Sequence, residues 1–264
     1  MYPTVTVPYL AVTLRSYTLF LILAAVLCYL AGPLIAGAIE GTPRHTTRRS
    51  LMALGGVAVL GAHAFYALDH FDAMYDDPLL ILRFWSGLYA PGAIVALAVA
   101  MPTMARHCGV PTGTLADTLT PIVALGIALS RIACFMNGCC VGTSCRYWWC
   151  ATFPHQSGPT HPLQLYFALS ATLAAAFTCW LSPRKHYNGQ VALVGIGIFA
   201  VTTAALETLR AANPAVQLSA IPPARQSAAL ALMVAALLAL LYAESTRRRR
   251  LRDKRLLTQH SRQQ

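Results

Sequence analysis

Apolar residues run along most of the chain in long blocks that short polar segments interrupt. A transmembrane helix needs roughly 20 mostly apolar residues to cross the hydrocarbon core of a bilayer. Seven blocks approach this length, at about 17–37, 51–68, 86–105, 114–135, 162–181, 190–209 and 226–243. The first block is too long for a cleavable signal peptide and lacks a basic segment before it. The pattern therefore predicts an all-α, polytopic integral membrane protein with about seven transmembrane helices.

The composition supports a membrane protein over a soluble one. Hydrophobic residues make up 56% of the 264 residues and charged residues only 11%, whereas soluble domains contain about 25% charged residues. The longest polar stretch, at 136–161, is too short for a soluble domain, and its glycines and prolines predict an outer cap of loops. We expect a single transmembrane domain over 1–245 and a basic cytoplasmic tail over 246–264.

The positive charge is distributed in a way that indicates orientation. The formal net charge is +11, and eight of the 20 Lys and Arg residues follow Ala243. A basic tail on an apolar body favours contact with membrane lipids, and we expect no nucleic-acid partner. The remaining clusters of basic residues follow the first, third and fifth blocks. By the positive-inside rule, the N-terminus is predicted outside and the C-terminus inside.

Ionisable residues in apolar spans are costly and often functional. Asp117 begins the fourth span, where it either caps a helix or binds a substrate. Glu207 and Arg210 end the sixth span and are spaced for a local ion pair, which is the simpler explanation for them. Arg131 ends the fourth span, where a guanidinium can hold a phospholipid phosphate through two parallel hydrogen bonds. Snorkelling to the headgroups is the alternative for Arg131, but the residues around it favour a function.

The segment SRIACFMNGCCVG at 130–142 resembles the signature of the bacterial prolipoprotein diacylglyceryl transferases. Arg131, Phe135, Asn137 and Gly142 match that signature. Four other segments resemble family motifs in the same order along the chain: RSYTLF with Tyr17, ADTLTPIVALG with Asp117, HPLQLYF with His161, Gln164 and Tyr166, and ETLR with Glu207 and Arg210. The resemblance covers most of the chain and agrees with seven spans and an outer N-terminus.

This resemblance implies a reaction and a location. Members of the family move a diacylglyceryl group from phosphatidylglycerol to the lipobox cysteine thiol of lipoprotein precursor peptides, in the bacterial cytoplasmic (inner) membrane. No metal or cofactor is implied. By resemblance, Arg131 binds the lipid head, Tyr17 and Asn137 form hydrogen bonds beside it, and Glu207 with Arg210 organises the site. The further candidates for substrate binding are Asp117, Gln164 and Tyr166.

The chain departs from the family pattern at positions that bear on catalysis. Pro91 stands where the family has a His that is a leading candidate for catalysis, and Thr203 replaces an Arg. The other replacements are Cys134 for Asn, Cys139 for Glu and Phe167 for Glu. Either Tyr89, His161 or His155 takes over proton transfer, or the chain is an altered paralogue that binds lipid or assists assembly without the reaction.

Five cysteines within 134–150 suggest competing interpretations: Cys134, Cys139, Cys140, Cys145 and Cys150. One or two structural disulfides with buried thiols is the interpretation that we favour, because the outer side of the membrane is oxidising. A zinc site would have to use Cys139, Cys145, Cys150 and His155, at a spacing that suits zinc poorly. A membrane thiol oxidoreductase is a weaker alternative, because the chain has no Cys-x-x-Cys pair.

Overall fold

The computed structural model describes residues 4–7, 12–71, 87–153 and 156–210. Those residues form six α-helices: α1 (Ser16–Glu40), α2 (Arg44–Asp69), α3 (Ala90–Cys108), α4 (Thr112–Asn137), α5 (Leu163–Leu181) and α6 (Gln190–Glu207). A short 3-10 helix, Ser182–Arg184, extends α5. The helices coincide with the first six apolar blocks, so the helical membrane architecture is confirmed. The predicted seventh block at 226–243 and the basic tail lie outside the described residues.

Five of the described helices are long and apolar enough to cross a membrane: α1 from Tyr17, α2, α4, α5 continued to Arg184, and α6. Large apolar side chains lie on their outward faces, including Leu34, Leu60 and Leu169, which are 54%, 58% and 61% exposed. Such a continuous apolar surface is unfavourable in water and is typical of a protein whose solvent is lipid.

Short strands occur at two places where the sequence analysis predicted none. β1 (Thr4–Val7) pairs antiparallel with β2 (Val12–Arg15) immediately before α1, in a segment rich in the β-branched residues Val and Thr. β3 (Ala151–Thr152) pairs with β4 (Pro159–Thr160) in the connection between α4 and α5. The loop cap is thus partly ordered by backbone pairing.

The helices pack around α4, which contacts α1, α5 and α6. Leu115, Leu119 and Ile122 of α4 are almost fully buried in a core with Ala36 and Leu54. At the α2–α3 crossing, a Cβ on Gly92 would lie 2.2 Å from the carbonyl oxygen of Gly61. Only glycine allows this approach, which brings the two backbones close enough for extensive van der Waals contact.

A buried ionic cluster joins four elements at one end of the helices. Lys185 Nζ donates to both carboxylate oxygens of Glu40, at 2.8 and 2.7 Å, and to Oδ2 of Asp117 at 2.9 Å. Asp117 is fully buried and also accepts from the backbone N–H groups of Gly189 at 2.8 Å and Ala192 at 2.9 Å. It therefore caps the first turn of α6 and ties that helix to α1 and α4.

Candidate functional site

The end of α4 opposite this ionic cluster is closed by a tight reversal of the chain. Gly138 adopts a left-handed conformation with φ 71°, and the N–H of Cys139 donates to the carbonyl of Cys134 at 3.3 Å. This is the hydrogen-bonding pattern of a Schellman-type helix end. Cys140 is also left-handed, with φ 62°, which is uncommon for a residue with a side chain. The two turns fold the following loop back over the helix end.

Gly142 fixes this loop to two distant parts of the chain. Its N–H donates to the carbonyl of His161 at 3.0 Å, and the next residue, Thr143, donates to the carbonyl of Leu209 at 2.8 Å. A Cβ on Gly142 would lie 2.7 Å from the His161 Cβ and 2.9 Å from the Leu209 oxygen. The glycine is therefore required by close packing, and it brings the end of α4, the start of α5 and the end of α6 together.

Arg131 lies on the last turns of α4 and is partly buried. Its Cζ is 4.5 Å from the centroid of the Phe167 ring, a cation–π contact. The carboxylates in the described part of the chain all lie beside other basic groups: Glu40 and Asp117 with Lys185, Glu207 with Arg210, and Asp69 with His70. Arg131 thus keeps its hydrogen-bond donors available for an anionic ligand.

Arg210 forms the ion pair that the sequence spacing predicts. Its Nε donates to Oε2 of Glu207 at 2.6 Å and its Nη2 donates to Oε1 at 2.7 Å. This bidentate pair fixes the guanidinium, which also contacts the thiol of Cys140. The local ion pair is therefore confirmed, and it also places a cation against the loop that follows α4.

Tyr17 and three thiols complete this part of the site. The side chains of Cys134, Cys139 and Cys140 lie within hydrogen-bonding reach of one another. Tyr17, at the start of α1, is close enough to the three thiols and to Arg131 to interact with them electrostatically. The site is thus built from the beginning, the middle and the end of the described chain.

His161 lies next to the thiol loop, and its ring is near the aromatic side chains of Tyr147 and Tyr166. Its Nδ1 is 3.1 Å from the hydroxyl of Tyr166, which also accepts a hydrogen bond from Trp149 Nε1 at 3.0 Å. The ring of Tyr147 stacks on Trp149, with 4.6 Å between centroids. When Nδ1 carries the ring proton and donates to the Tyr166 hydroxyl oxygen, the lone pair of Nε2 is left to accept a proton.

Gln164 is hydrogen-bonded to the backbone of the loop that follows α4. It is almost fully buried, and its Nε2 donates to the carbonyl of Cys139. Its Oε1 has no hydrogen-bond partner among the described residues. Asn137 contacts the Cys139 thiol and is exposed. Both predicted site residues thus lie at the loop, with Gln164 placed to fix the backbone around the thiols.

An apolar cavity of about 290 Å³ lies between α1, α4 and α5. Its walls include Leu27, Gly32, Ile122, Leu129, Ile132 and Thr172. Such a lining cannot be identified from the sequence, because these helices are apolar on most of their faces. On α4 the lining runs from Ile122 to Ile132, and a hydrocarbon chain would fit along it.

Comparison with known proteins decides the family. The family model for prolipoprotein diacylglyceryl transferase matches residues 4–243. The chain belongs to this family. A phosphatidylglycerol–prolipoprotein diacylglyceryl transferase from Methylococcus capsulatus is 32% identical over 165 residues, which cover 60% of this chain and 63% of that protein. One of the same name from Bordetella avium is 33% identical over 150 residues, 53% of this chain and 56% of the relative. The chain thus spans less than two thirds of the length of these relatives.

The structure does not bring Asp117 to the other transferase-motif residues. Asp117 and Arg131 lie on the same helix about 21 Å apart along its axis, at 1.5 Å per residue. The contacts of Asp117 with Lys185, Gly189 and Ala192 fit the capping alternative, with the difference that it caps α6 and not its own helix. A partner 68 residues away cannot be found from local sequence.

The positions at which the sequence predicts departures from the family pattern have distinct surroundings. Pro91 lies in the first turn of α3, and Tyr89 caps that helix with its ring against Tyr66 and His70, at 5.5 and 6.0 Å between centroids. The Thr203 hydroxyl is buried with no hydrogen-bond partner among the described residues. His155 lies outside the described residues.

The cysteines are divided between one disulfide and several thiols. Cys145 and Cys150 form a disulfide, which confirms a structural disulfide in the loop. The zinc hypothesis is wrong as stated, because two of its four proposed ligands are bonded to each other. The described part of the chain contains no group of three or more residues suited to holding a metal ion. Two contacts were not predicted from the sequence: the contact of Cys140 with Arg210 and the support of Arg131 by the Phe167 ring.

Proposed function

We propose that the protein moves a diacylglyceryl group from phosphatidylglycerol to the lipobox cysteine thiol of lipoprotein precursor peptides. Family membership supports this reaction class, and two relatives carry phosphatidylglycerol–prolipoprotein diacylglyceryl transferase as their name. For this chain, the proposal depends on Arg131. Its guanidinium lies on an aromatic ring and has no carboxylate partner among the described residues.

In the reaction, the acceptor thiolate attacks the glyceryl carbon that bears the phosphate ester. A C–S bond forms, the C–O bond breaks, and glycerol phosphate leaves with its charge. Arg131 holds the phosphate in the ground state and stabilises the added charge as the leaving group departs. Tyr17 interacts with Arg131 and with the loop thiols, and Arg210 contacts the Cys140 thiol, so a second cation borders the same loop. An acyl chain of the lipid occupies the apolar cavity.

The thiol proton needs an acceptor, because the thiolate and not the thiol is the nucleophile. Of the sequence candidates, His161 is bonded through its backbone to Gly142 and Thr143, next to the thiol loop. Tyr166 fixes its ring. We assign His161 this role, whereas Tyr89 packs α2 against α3 and Asn137 contacts the loop thiols.

The proposed location follows from the charges and the site. The Arg131 end of the helices faces the outside of the bacterial cytoplasmic membrane, and the end with Lys185 faces the cytoplasm. Seven spans place the N-terminus outside and the basic tail inside. In this orientation the site meets lipoprotein precursors after they have left the cytoplasm.

A transfer assay tests the proposal with the purified full chain, phosphatidylglycerol and a lipobox peptide. Arg131→Ala is expected to lower kcat/KM by about 100-fold, the loss typical of removing a group that binds developing charge. Arg131→Lys keeps the charge and is expected to recover only part of the activity. Arg184→Ala is the matched control, because Arg184 also stacks on an aromatic ring, that of Trp180 at 4.6 Å, but at the opposite end.

Lipid binding measured in parallel separates transfer from the altered-paralogue alternative. Wild-type protein that binds phosphatidylglycerol through Arg131 but forms no thioether on the peptide is a lipid-binding paralogue, in keeping with Pro91 at the family's His position. Unchanged transfer by the Arg131→Ala variant rejects the site that is assigned here.

A further inference from the structure

Three reduced cysteines meet at the loop that follows α4. Cys134, Cys139 and Cys140 form no disulfide, although each contacts the other two. Two of them, Cys134 and Cys139, stand at signature positions where the family has Asn and Glu. Neither the transfer mechanism nor the packing of the helices uses this cluster.

Cys140 has the features of an attacking thiol. It is the exposed member of the cluster, and its left-handed backbone turns it toward Arg210. Hydrogen bonds from Cys134 and Cys139, together with the positive charge of Arg210, hold the pKa of the Cys140 thiol below its usual range. Accessible cysteines with a thiolate character and a neighbouring thiol are the ones that exchange with disulfides.

The groups around Cys140 come from every element that packs on the loop. Arg210 at the end of α6 touches it, and Glu207 neutralises part of the Arg210 charge. Tyr17 from α1 interacts electrostatically with all three thiols and with Arg131 of α4. The positive charge of Arg210 therefore favours a thiolate at Cys140, which is exposed.

The same loop already carries an oxidised pair, Cys145–Cys150. Cys145 follows the three free thiols by 5 to 11 residues, so the region is chemically compatible with both redox states. Because Cys140 is exposed, a disulfide substrate can reach its thiol.

We propose that Cys140 and Cys134 form a thiol–disulfide exchange centre that acts on disulfides entering the Arg131 end of the protein. The Cys140 thiolate attacks one sulfur of the substrate disulfide, and the first substrate thiolate leaves and takes up a proton. Cys134 then loses its proton and attacks the Cys140 sulfur, which breaks the mixed disulfide and releases the second substrate thiol. The two protein thiols are oxidised to one disulfide, and one substrate disulfide is reduced to two thiols.

Cys134 is the resolving partner because of its place in the chain. Cys139 is adjacent to Cys140, and adjacent cysteines bridge only with distortion of the peptide between them. Cys134 lies six residues earlier, in the last turn of α4, and the chain reversal at Gly138 returns the loop over it. The natural substrate class is a peptide whose acceptor cysteine is disulfide-bonded, an assignment that rests on the proposed transfer function.

The test uses reduced full-length protein in detergent, with Cys145–Cys150 intact, and a chromogenic aromatic disulfide in the absence of lipid. Wild type is expected to release two probe thiolates in a fast phase, and peptide mapping is expected to find a Cys134–Cys140 bond. Cys140→Ser is expected to slow the fast phase by about tenfold or more. Cys134→Ser is expected to release one thiolate and retain the probe on Cys140, while Cys139→Ser still forms the Cys134–Cys140 bond and Cys179→Ser behaves as wild type.

A fast phase that survives in Cys140→Ser overturns the proposal, as does a second release from Cys134→Ser. A mapped bond to Cys139 overturns the choice of resolving cysteine. Limiting iodoacetamide on wild type covers the case in which a variant fails to fold, because Cys140 must then be the first cysteine labelled. Since no step uses phosphatidylglycerol, failure of exchange and failure of diacylglyceryl transfer are separate results.

Discussion

The guanidinium of Arg131 rests on the ring of Phe167, where the transferase family has a Glu. The distance from Cζ to the ring centroid is 4.5 Å. A carboxylate at this position would compete with a phosphate for the arginine, whereas a ring supports the charge and leaves its N–H donors unoccupied. Phe167 therefore positions the guanidinium of Arg131 and also leaves its N–H donors available to a phosphate.

Phe167→Ala is expected to weaken the lipid interaction of Arg131. A cation–π contact contributes about 0.5–2 kcal/mol, so the KM for phosphatidylglycerol should rise about 2- to 30-fold. Steady-state transfer kinetics measure this, with Phe167→Tyr as the control that keeps a ring. A KM that stays at the wild-type value in the Ala variant contradicts the role given to Phe167.

Asp117→Asn is expected to lower stability and leave the chemistry almost unchanged. Removing one partner of a buried ionic cluster costs about 3 kcal/mol, because the remaining charges keep their desolvation cost. Denaturant unfolding in detergent measures the loss, and transfer per folded molecule should stay within about twofold. Reduced transfer at full stability would instead place Asp117 in substrate binding.

The same cluster predicts alkaline sensitivity. Burial disfavours the charged Lys185, but its hydrogen bonds to Glu40 and Asp117 outweigh this and raise its pKa above the usual value. Its stabilisation is therefore complete below the unfolded-state pKa of about 10.4 and is lost as the pH rises through the higher folded-state pKa. Thermal melts above pH 10 should show a steeper decline for wild type than for Lys185→Met, which lacks the titrating group. Parallel pH profiles for the two proteins would contradict this.

Removing the loop disulfide is expected to loosen the cap while the helices stay folded. A cross-link between Cys145 and Cys150, five residues apart, contributes about 2 kcal/mol by the loop-entropy relation. The double variant Cys145→Ser/Cys150→Ser should be cleaved faster in the loop by a protease, with helical circular dichroism retained. A chelator should leave wild type unaffected, and a chelator-dependent increase in cleavage would restore a metal hypothesis.

Gly92→Ala is expected to disrupt the α2–α3 crossing. The new methyl group would lie 2.2 Å from a backbone oxygen, and overpacking of this kind costs about 3 kcal/mol. Gly56→Ala on α2 is the control, because a Cβ there meets nothing within 4 Å and alanine favours a helix. Equal melting temperatures for the two variants would show that the helices can separate without penalty.

Sequence alone predicts most of the helices, because lipid exposure makes the apolar blocks long and uninterrupted. The Glu207–Arg210 pair is also predictable, since its spacing is local. The Asp117–Lys185 contact and the Arg131–Phe167 contact are not, because each joins helices whose mutual rotation is set by packing. The pairing of the cysteines cannot be predicted from the sequence either. In the structure Cys145 pairs with Cys150, and the signature cysteines Cys134 and Cys139 remain free thiols.

The N–H of Gly142 donates to the carbonyl of His161, and Gly142 also forms an isolated antiparallel bridge with Arg210. Tyr17, Arg131 and Arg210 can meet only after the last described helix has docked on this glycine. During synthesis, a chain that has inserted its first helices therefore carries an Arg131 without the groups that complete its surroundings. The order of membrane insertion thus keeps Tyr17, Arg131 and Arg210 apart until nearly all of the described chain has entered the bilayer.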